Sequence, residues 1–220
     1  MAIDQVAGGT RRRRPQAERN DRAVLDAARW VFMQDPEAPV SAVARAAGVG
    51  IGGIYRRYRS KHELLRTVCA DGLRRRIAIA DSALTGSEDP WQVFETYMRG
   101  MCEADVHALT TRLAGTFPAD EELLALGAQA DALDERVFRH ARGSGVLRPD
   151  VHAHDIALVL EQISAIRLGE GPRTDVLRHR YLTLLLDGMR ATAAVGRLPG
   201  PPPTAEELAS RWRAGQAGVR

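Results

Sequence analysis

Residues 40–65 constrain the fold more than any other part of this 220-residue sequence. Apolar residues recur at helical spacing from Val43 to Ala47, and a glycine-containing run at 48–50 then breaks the helix. A second short helical pattern follows and carries Ile54 and Tyr55. Two short helices joined by a turn of about three or four residues are the unit that places its second helix in the DNA major groove. The segment therefore predicts a DNA-binding helix-turn-helix.

A third helix is predicted to begin directly after this unit, at a capping box. In Ser60-x-x-Glu63, the hydroxyl and the carboxylate each satisfy a backbone N–H at the helix start. Lys61 is the single lysine among the 31 Lys and Arg residues, and it falls in the first turn of this helix. Helix N-termini attract phosphate, and a compact ammonium adds a point contact. Lys61 is therefore a candidate phosphate contact, with coincidence as the alternative.

Basic charge is concentrated at the N-terminus. Residues 1–65 contain 12 basic and 7 acidic residues, a net charge of +5, whereas the remainder contains 19 basic and 21 acidic residues, a net charge of −2. This asymmetry favours a nucleic-acid-binding segment joined to a different kind of domain. We expect residues 1–18 to form a flexible basic arm that follows phosphates or enters a narrow minor groove, with a solubilising tail as the alternative. Its basic run consists of Arg11, Arg12, Arg13 and Arg14.

The composition argues against several protein classes. Only Cys69 and Cys102 occur, without paired spacing, so the sequence supports neither a disulfide framework nor a cysteine zinc site. No apolar run approaches the roughly 18 residues of a membrane helix. The polar, Arg-rich N-terminus lacks the apolar segment of a signal peptide. We therefore expect a cytoplasmic protein that uses no cofactor and binds no membrane.

An enzyme is the rival class, but the signatures of enzymes are missing from the sequence. No nucleophile elbow, phosphate-binding glycine loop or HExxH motif occurs. His152-x-His154, with Asp150 and Asp155, has the residue types of a metal site. These residues stand at a predicted helix start, where acidic side chains cap the helix. We predict no catalytic residues and no metal site, and keep zinc at the two histidines as the less favoured alternative.

The rest of the sequence has helical periodicity and no convincing period-two alternation. We predict an all-α protein with an N-terminal three-helix DNA-binding domain (19–66) and a C-terminal helical bundle for ligand sensing and dimerisation (67–197). A proline-rich linker and tail (198–220) follow, and Thr204-x-x-Glu207 predicts a short capped helix there. The predicted helices cover 20–34, a stretch from about 39, 61–82, 91–103, 106–115, 119–143, 155–168 and 174–195.

The last two long helical patterns are too broadly apolar to bury only one stripe. Pairing them with the same helices of a second copy gives a two-fold symmetric four-helix dimer interface. The alternative is a fully internal pair of core helices. The predicted interface residues are Ile156, Leu160, Ile163, Leu184, Leu185, Gly188 and Met189.

A set of apolar and polar residues on the central helices suits an apolar cavity with a few orienting polar groups. Plain core packing is the alternative for each of them. The candidate ligand-binding residues are Phe94, Tyr97, Met98, Met101, His107, Phe117 and Gln129.

Residues 22–66 resemble the TetR family of bacterial transcriptional repressors. The resemblance implies a two-domain all-α fold, a homodimer built on the last two long helices, a small-molecule pocket in the C-terminal bundle and a palindromic operator. Tyr55, Tyr58 and Lys61 match positions that contact operator phosphates in the family. Residues 145–155 and 181–190 also resemble a common C-terminal subtype. The motifs are Val43-Ala44-x-x-Ala47-Gly48-Val49, Ile54-Tyr55-x-x-Tyr58 and Ser60-Lys61-x-Glu63-Leu64-Leu65.

The second helix departs from the family pattern by its glycines. Gly50 stands where the family usually has a capping Ser or Thr, and Gly53 replaces another hydroxyl residue. Gly52 and Gly53 each cost about 1 kcal/mol of helix stability relative to alanine. We hypothesise that this glycine surface approaches the groove floor closely, with DNA shape and the basic arm supplying part of the specificity. The candidate base contacts are Ile51, Arg45 and Arg56.

These observations predict a ligand-responsive repressor that binds a palindromic operator as a homodimer. The alternative function is a DNA-organising helix-turn-helix protein without a small-molecule effector.

Overall fold

The computed structural model describes residues 13–113, 115–208 and 210, and of residues 13–20, 106–108 and 111 it describes only the backbone. The chain divides into two compact units, Met1–Val68 and Cys69–Arg220. The described residues are mostly helical and contain no strand, which confirms the predicted all-α class. The helices are α1 (Arg13–Gln34), α2 (Val40–Ala47), α3 (Ile51–Arg57), α4 (Lys61–Gly86), α5 (Pro90–Ala104), α6 (Val106–Leu113), α7 (Glu121–Gly143), α8 (Ala153–Ala165) and α9 (Gly171–Met189).

The N-terminal unit is organised around α1. Val24, Ala28, Val31 and Phe32 lie on one face of this helix and are buried, because residues three, four and seven positions apart share a helix face. α1 packs against α2, and α2 packs against α3. The unit is thus the predicted three-helix arrangement, and α4 begins directly after it.

α1 begins earlier than the sequence predicts. It starts at Arg13 rather than at residue 20, so residues 13–18, predicted to belong to a flexible arm, are helical. The residues of this stretch are mostly good helix formers, and Pro15 is tolerated in a first turn, where backbone N–H groups have no intrahelical partner. The arm prediction is therefore wrong for residues 13–18, and residues 1–12 lie outside the described part of the chain.

The C-terminal unit is a helical bundle with one large apolar core. α5 packs against α7, α8 and α9, and α8 also packs against α6 and α9. Cores of this kind derive their stability mainly from apolar area removed from water. Its largest fully buried side chains are Phe94, Met98, Met101, Leu109, Leu113, Ile163, Leu182 and Leu186. No helix within the described ranges has the length and apolar character needed to cross a membrane.

A buried arginine sets the end of α8. The Arg178 guanidinium donates to the carbonyl oxygens of Ser164 (2.7 Å) and Ile166 (3.2 Å), and to Asp105 Oδ2 at 3.1 Å. α8 ends at Ala165, three residues before the predicted end, because this side chain occupies carbonyl groups that a longer helix would use internally. α9 ends at Met189, not at the predicted residue 195, because the chain turns extended at Arg190 and bridges to Leu147.

Candidate DNA interface and ligand cavity

The turn between α2 and α3 is built by a left-handed glycine. Gly48 has φ +66°, a conformation that side chains with a Cβ rarely adopt. The N–H of Gly48 donates to the Arg45 carbonyl (3.2 Å), and the N–H of Val49 donates to the Ala44 carbonyl (3.0 Å). These bonds end α2. Gly50 then has an extended backbone and is the N-cap residue of α3. The glycine-containing run therefore forms the sharp turn that the sequence predicts.

The candidate base contacts lie on the surface around α3. Ile51 and Tyr55 are about half exposed, and Arg45 and Arg56 are exposed. These are the side chains that a groove-bound helix would present to bases and phosphates. The structure thus leaves exposed the candidate base contacts Arg45, Ile51 and Arg56 and the candidate phosphate contact Tyr55.

The glycines of α3 leave an open surface beside these side chains. A Cβ added at Gly50 or Gly52 meets no atom within 4 Å, and at Gly53 it meets only Nη2 of Arg56 at 3.8 Å. Nothing within the described residues therefore requires glycine at these positions for packing. We therefore expect the need for glycine at these positions to come from the surface that α3 approaches.

The start of α4 has the predicted cap, with one shift of partner. The N–H of Glu63 donates to Ser60 Oγ (3.1 Å), and the Glu63 carboxylate accepts from the N–H of Arg59 at 2.7 Å rather than from that of Ser60. Lys61 is partly exposed beside this cap. Its Nζ lies 3.6 Å from Glu37 and 5.8 Å from the centre of the Phe32 ring. The ammonium is thus held near a helix N-terminus by weak surface contacts that a phosphate can replace.

Tyr58 differs from its prediction as a phosphate contact. The side chain is 4% exposed, and its hydroxyl oxygen is buried. Burial raises the pKa of this phenol, and the guanidinium of Arg57 lies 5.8 Å from its ring centre. The structure places Tyr58 in the packing core of the unit because an aromatic ring at this position covers the apolar side of α3. The predicted phosphate contact is wrong for this conformation.

The basic run is only partly described. Arg11 and Arg12 lie outside the described residues. Arg13 and Arg14 belong to α1, but their side chains are not described. Their role at DNA stays a prediction.

The C-terminal unit contains a cavity of about 730 Å³. Of the seven predicted ligand-binding residues, Phe94 and Tyr97 line it. Apolar side chains from α4, α7, α8 and the tail make up most of the remaining wall: Cys69, Leu73, Leu123, Leu124, Val137, Phe138, Ile156, Leu160, Ala205 and Leu208. A concave site of this size, largely apolar with a few polar groups, has the properties of a small-molecule site.

The polar part of the wall centres on Arg76. Its Nε donates to Asp134 Oδ2 at 2.7 Å, and its Nη2 donates to Asp131 Oδ1 at 2.8 Å. Burial raises the pKa of the Tyr97 phenol well above its usual value, and burial also raises the pKa of Asp134 although Arg76 and Tyr97 oppose that shift. Asp134 Oδ1 is buried without a hydrogen-bond partner among the described residues. Asp134 is therefore a carboxylate of the cavity lining whose buried oxygen has no partner among these residues.

The other predicted ligand-binding residues lie elsewhere. Met98, Met101 and Phe117 are buried in packing positions away from the cavity wall, and Gln129 is exposed. The side chain of His107 lies outside the described residues. These four residues do not line this cavity, and their part in ligand binding stays a prediction. Spacing on a helix shows which side chains are buried but not which of them border a void.

Sequence reasoning missed the charged residues of the wall, among them Arg76 and Asp134. Arg76 falls on the same helix face as the buried residues Cys69, Leu73 and Ala80, and Asp134 falls on the face of Ala130 and Val137. A charged residue inside an apolar stripe is the signal that the sequence offers. Each charge suggests a partner of opposite sign, although sequence alone does not say which.

The predicted dimer residues divide into two groups. Ile156, Leu160, Ile163 and Met189 are buried in the core of their own chain, so they are not available to a partner. Leu184 and Gly188 are exposed on α9, and Leu185 is partly buried. The sequence identified both apolar faces of these helices but did not separate the inward face from the outward one.

Of the two histidines considered for a metal site, the ring of His154 has another partner, and the backbone of His152 takes part in a helix cap. Nδ1 of His154 donates to the carbonyl oxygen of Pro203 at 2.9 Å, and the N–H of His152 donates to Asp155 Oδ2 at 2.8 Å. Asp155 thus acts as a helix cap, as its place in the sequence suggests. Over the described residues, no group of three His, Cys, Asp or Glu side chains is placed to hold a metal ion.

Family models match both units. Residues 24–68 match the model of bacterial regulatory proteins of the tetR family, and residues 89–191 match the model of the C-terminal domain of SbtR-like transcriptional regulators. Together they span about two thirds of the chain. No curated protein matches it.

Solved structures give the same assignment. A TetR transcription regulatory protein from Mycobacterium vanbaalenii is 26% identical, with a TM-score of 0.54, over 80% of this chain and 98% of that one. LfrR from Mycobacterium smegmatis, in complex with proflavine, is 22% identical, with a TM-score of 0.61, over 82% of this chain and 99% of that one. The ketosteroid regulator KstR2 of Mycobacterium tuberculosis is 19% identical, with a TM-score of 0.55, over 84% of this chain and 99% of that one. The chain belongs to the TetR family and is a DNA-binding transcriptional regulator, not an enzyme.

Proposed function

We propose that this regulator is a repressor that binds a two-fold symmetric operator as a homodimer and leaves it when a small molecule enters the cavity. The cavity of about 730 Å³ carries the proposal, because small-molecule sites usually have about 300–1,000 Å³ and a mostly apolar wall. A protein that only organises DNA has no need of such a void, which forgoes the packing that a filled core would supply.

The outward face of α9 is the proposed dimer interface. Val176 and Leu184 are 59% and 58% exposed, and Tyr181 and Gly188 are exposed on the same side. Arg180 is exposed between Val176 and Leu184, so this face is mixed rather than purely apolar. A second copy of the same helix would cover its apolar side chains with two-fold symmetry. A dimer also supplies the two recognition helices that a palindromic site requires, about 34 Å apart.

A charge on this face tests the dimer. We expect Leu184→Glu to convert the protein to monomers in sedimentation velocity and to abolish tight operator binding, because the carboxylate is buried against its symmetry mate. Val195→Glu is the matched control, since Val195 is fully exposed beyond α9. A dimer that persists in Leu184→Glu places the interface elsewhere.

The lining indicates the chemistry of the effector. Among the described residues that line the cavity, the carboxylates of Asp131, Asp134 and Glu135 outnumber the guanidinium of Arg76. An excess of carboxylates beside an apolar wall favours a ligand with positive charge or N–H donors. We therefore propose a mostly apolar molecule with a cationic or hydrogen-bond-donating group, which would pair with the Asp134 carboxylate.

α4 is the proposed connection between effector and DNA. This single helix carries Lys61 at its first residue and contributes Cys69, Leu73 and Arg76 to the cavity wall. A ligand that binds differently to two positions of α4 shifts the population of both, and DNA affinity changes with it.

Two experiments test the proposed function. Selection of bound duplexes from a random library is expected to yield an inverted repeat; a site without two-fold symmetry would refute the symmetric repressor. Proflavine, a fluorescent aromatic cation, is then titrated into the protein and into Asp134→Asn, which we expect to bind about tenfold more weakly for the loss of one charged partner. Glu121→Gln, an exposed acid of α7 outside the lining, is the control. Proflavine that binds without weakening operator binding would refute release by this site.

A further inference from the structure

The chain beyond the last long helix is bonded to the C-terminal unit rather than leaving it. Nη2 of Arg148 donates to the carbonyl oxygen of Gly196 at 2.6 Å, and the N–H of Leu198 donates to Asp150 Oδ2 at 2.7 Å. Arg148 and Asp150 also pair with each other through two bonds of 2.6 and 3.0 Å. These hydrogen bonds, chiefly the one from Arg148, hold the pKa of Asp150 far below its usual range. The segment is thus attached by a charged pair at its start.

A second attachment lies seven residues after Gly196. The carbonyl oxygen of Pro203 accepts from Nδ1 of His154, a residue whose side chain also borders the cavity. Between the attachments the sequence reads PGPPP at 199–203. Proline fixes φ and removes donors, so this stretch is a stiff spacer with few alternative conformations. Such a spacer holds the residues after Pro203 in a defined position.

A short helical turn begins after this spacer and reaches the cavity. The N–H of Glu207 donates to Thr204 Oγ1 at 3.1 Å, and the Glu207 carboxylate accepts from the N–H of Thr204 at 2.7 Å. This capping box starts the helical residues 205–208. Ala205 and Leu208 from this turn line the cavity. Part of the wall therefore comes from the tail.

This tail lies beyond the part of the chain that the family models describe. The C-terminal model ends at residue 191. A wall contributed by residues 196–208 therefore lies outside the segment that this model matches.

We propose that residues 196–208 form a strap that completes the effector site, with Leu208 as a residue that contacts the bound molecule and slows its exchange. The inference rests on the proposed small-molecule function. The strap sets which molecules fit the cavity, because its attachments at Asp150 and His154 fix the position of Leu208.

The first test needs no ligand. Cys69 lines the cavity and is buried, whereas Cys102 is buried outside the lining. The rate of alkylation of each thiol by N-ethylmaleimide is measured by mass spectrometry in two truncated chains, one ending at Ser210 with the strap and one ending at Leu198 without it. We expect Cys69 to react about tenfold faster without the strap while Cys102 is unchanged, as for a local opening. Equal Cys69 rates, or parallel rises at both thiols, would overturn the proposal.

The second test uses full-length point variants and proflavine. Leu208→Ala removes a wall side chain, and Leu198→Ala removes an exposed leucine of the same segment whose N–H attachment is unaffected. We expect Leu208→Ala to speed proflavine dissociation about fivefold through lost apolar contact, and Leu198→Ala to leave it unchanged. Equal dissociation rates count against the strap. If proflavine binds to no chain, the cationic effector fails, and the thiol rates still decide the strap.

Discussion

The two units of this regulator satisfy their polar groups in different ways. At the start of α4, Glu63 is bonded to residues three and four positions away. In the C-terminal unit, Arg76 pairs with Asp134 across 58 positions, and Arg178 pairs with Asp105 across 73. The cap of α4 is thus specified by neighbours in the sequence, whereas these charged pairs of the bundle depend on partners that only the fold brings together. The DNA-binding unit also has long-range pairs, Arg57 with Asp21 and Lys61 with Glu37, but these lie at its surface.

This difference follows from the work of each unit. Short helices of eight and seven residues, such as α2 and α3, need caps and a defined turn because they have little length over which to accumulate stability. The bundle has helices of up to 26 residues and encloses a cavity. Arg76 and Asp134 at that cavity are largely buried, so their charges need partners inside the protein. The local caps of the DNA-binding unit and the long-range pairs of the bundle are therefore tested by different substitutions.

The largest expected effect comes from removing a non-local partner. Arg178→Met leaves Asp105 and two carbonyl groups without their donor, and we expect it to lower the free energy of unfolding by about 3–5 kcal/mol. Urea unfolding followed by circular dichroism measures the loss. Arg173→Met, at an exposed position in the first turn of the same helix, is the control. A loss below about 1 kcal/mol would mean that the bundle does not depend on this buried ion pair.

The DNA-binding unit is tested next, at Lys61. Lys61→Gln removes the ammonium at the α4 N-terminus, and we expect binding to the selected duplex to weaken by about 1–3 kcal/mol, equally for all sequences. The slope of the logarithm of the binding constant against the logarithm of the salt concentration is expected to fall by about one, as for the loss of one phosphate contact. Arg22→Gln, at an exposed position of α1, serves as the charge-matched comparison. A change in preferred bases instead of a uniform loss would contradict the phosphate assignment.

How far the sequence predicts the structure follows the same division. The turn at Gly48, the cap at Ser60 and the end of α1 at Gln34 were each predicted from a few adjacent residues. Backbone conformation at such sites depends on local sterics and hydrogen bonds, which adjacent residues determine. Tyr58 is the exception in this unit, because its burial depends on packing against other helices.

In the bundle, the sequence predicted helices but not their partners. Phe94 and Tyr97 were correctly placed at a cavity, but Arg76, Asp134 and Leu208 were not recognised as parts of its wall. Periodicity shows that a helix has an apolar face, and it does not say whether that face meets a core, a void or a second chain. Which face of α9 points outward became clear only from the burial of its residues.

A local cap should have a smaller effect, confined to its own helix. Ser60→Ala removes the acceptor for the N–H of Glu63, and we expect a loss of about 1 kcal/mol in the free energy of unfolding. Ser41→Ala, at an exposed position within α2, should change stability by only a few tenths of that amount. Thermal unfolding of the two variants compares them. Equal losses would show that Ser60 does not act as a cap.

At Gly52 the expected effect on stability is of similar size but opposite sign, and this sign separates folding from binding. A Cβ at Gly52 meets no atom within 4 Å, so Gly52→Ala should raise the free energy of unfolding by about 1 kcal/mol through helix propensity. Gly72→Ala in α4 meets equally open space and should stabilise the protein similarly. If α3 lies close to the groove floor, only Gly52→Ala will weaken operator binding, because the added methyl group occupies the space of the bases. Unchanged operator affinity in Gly52→Ala would exclude a close approach of α3 to the groove floor. Gly52 would then have no role in recognition.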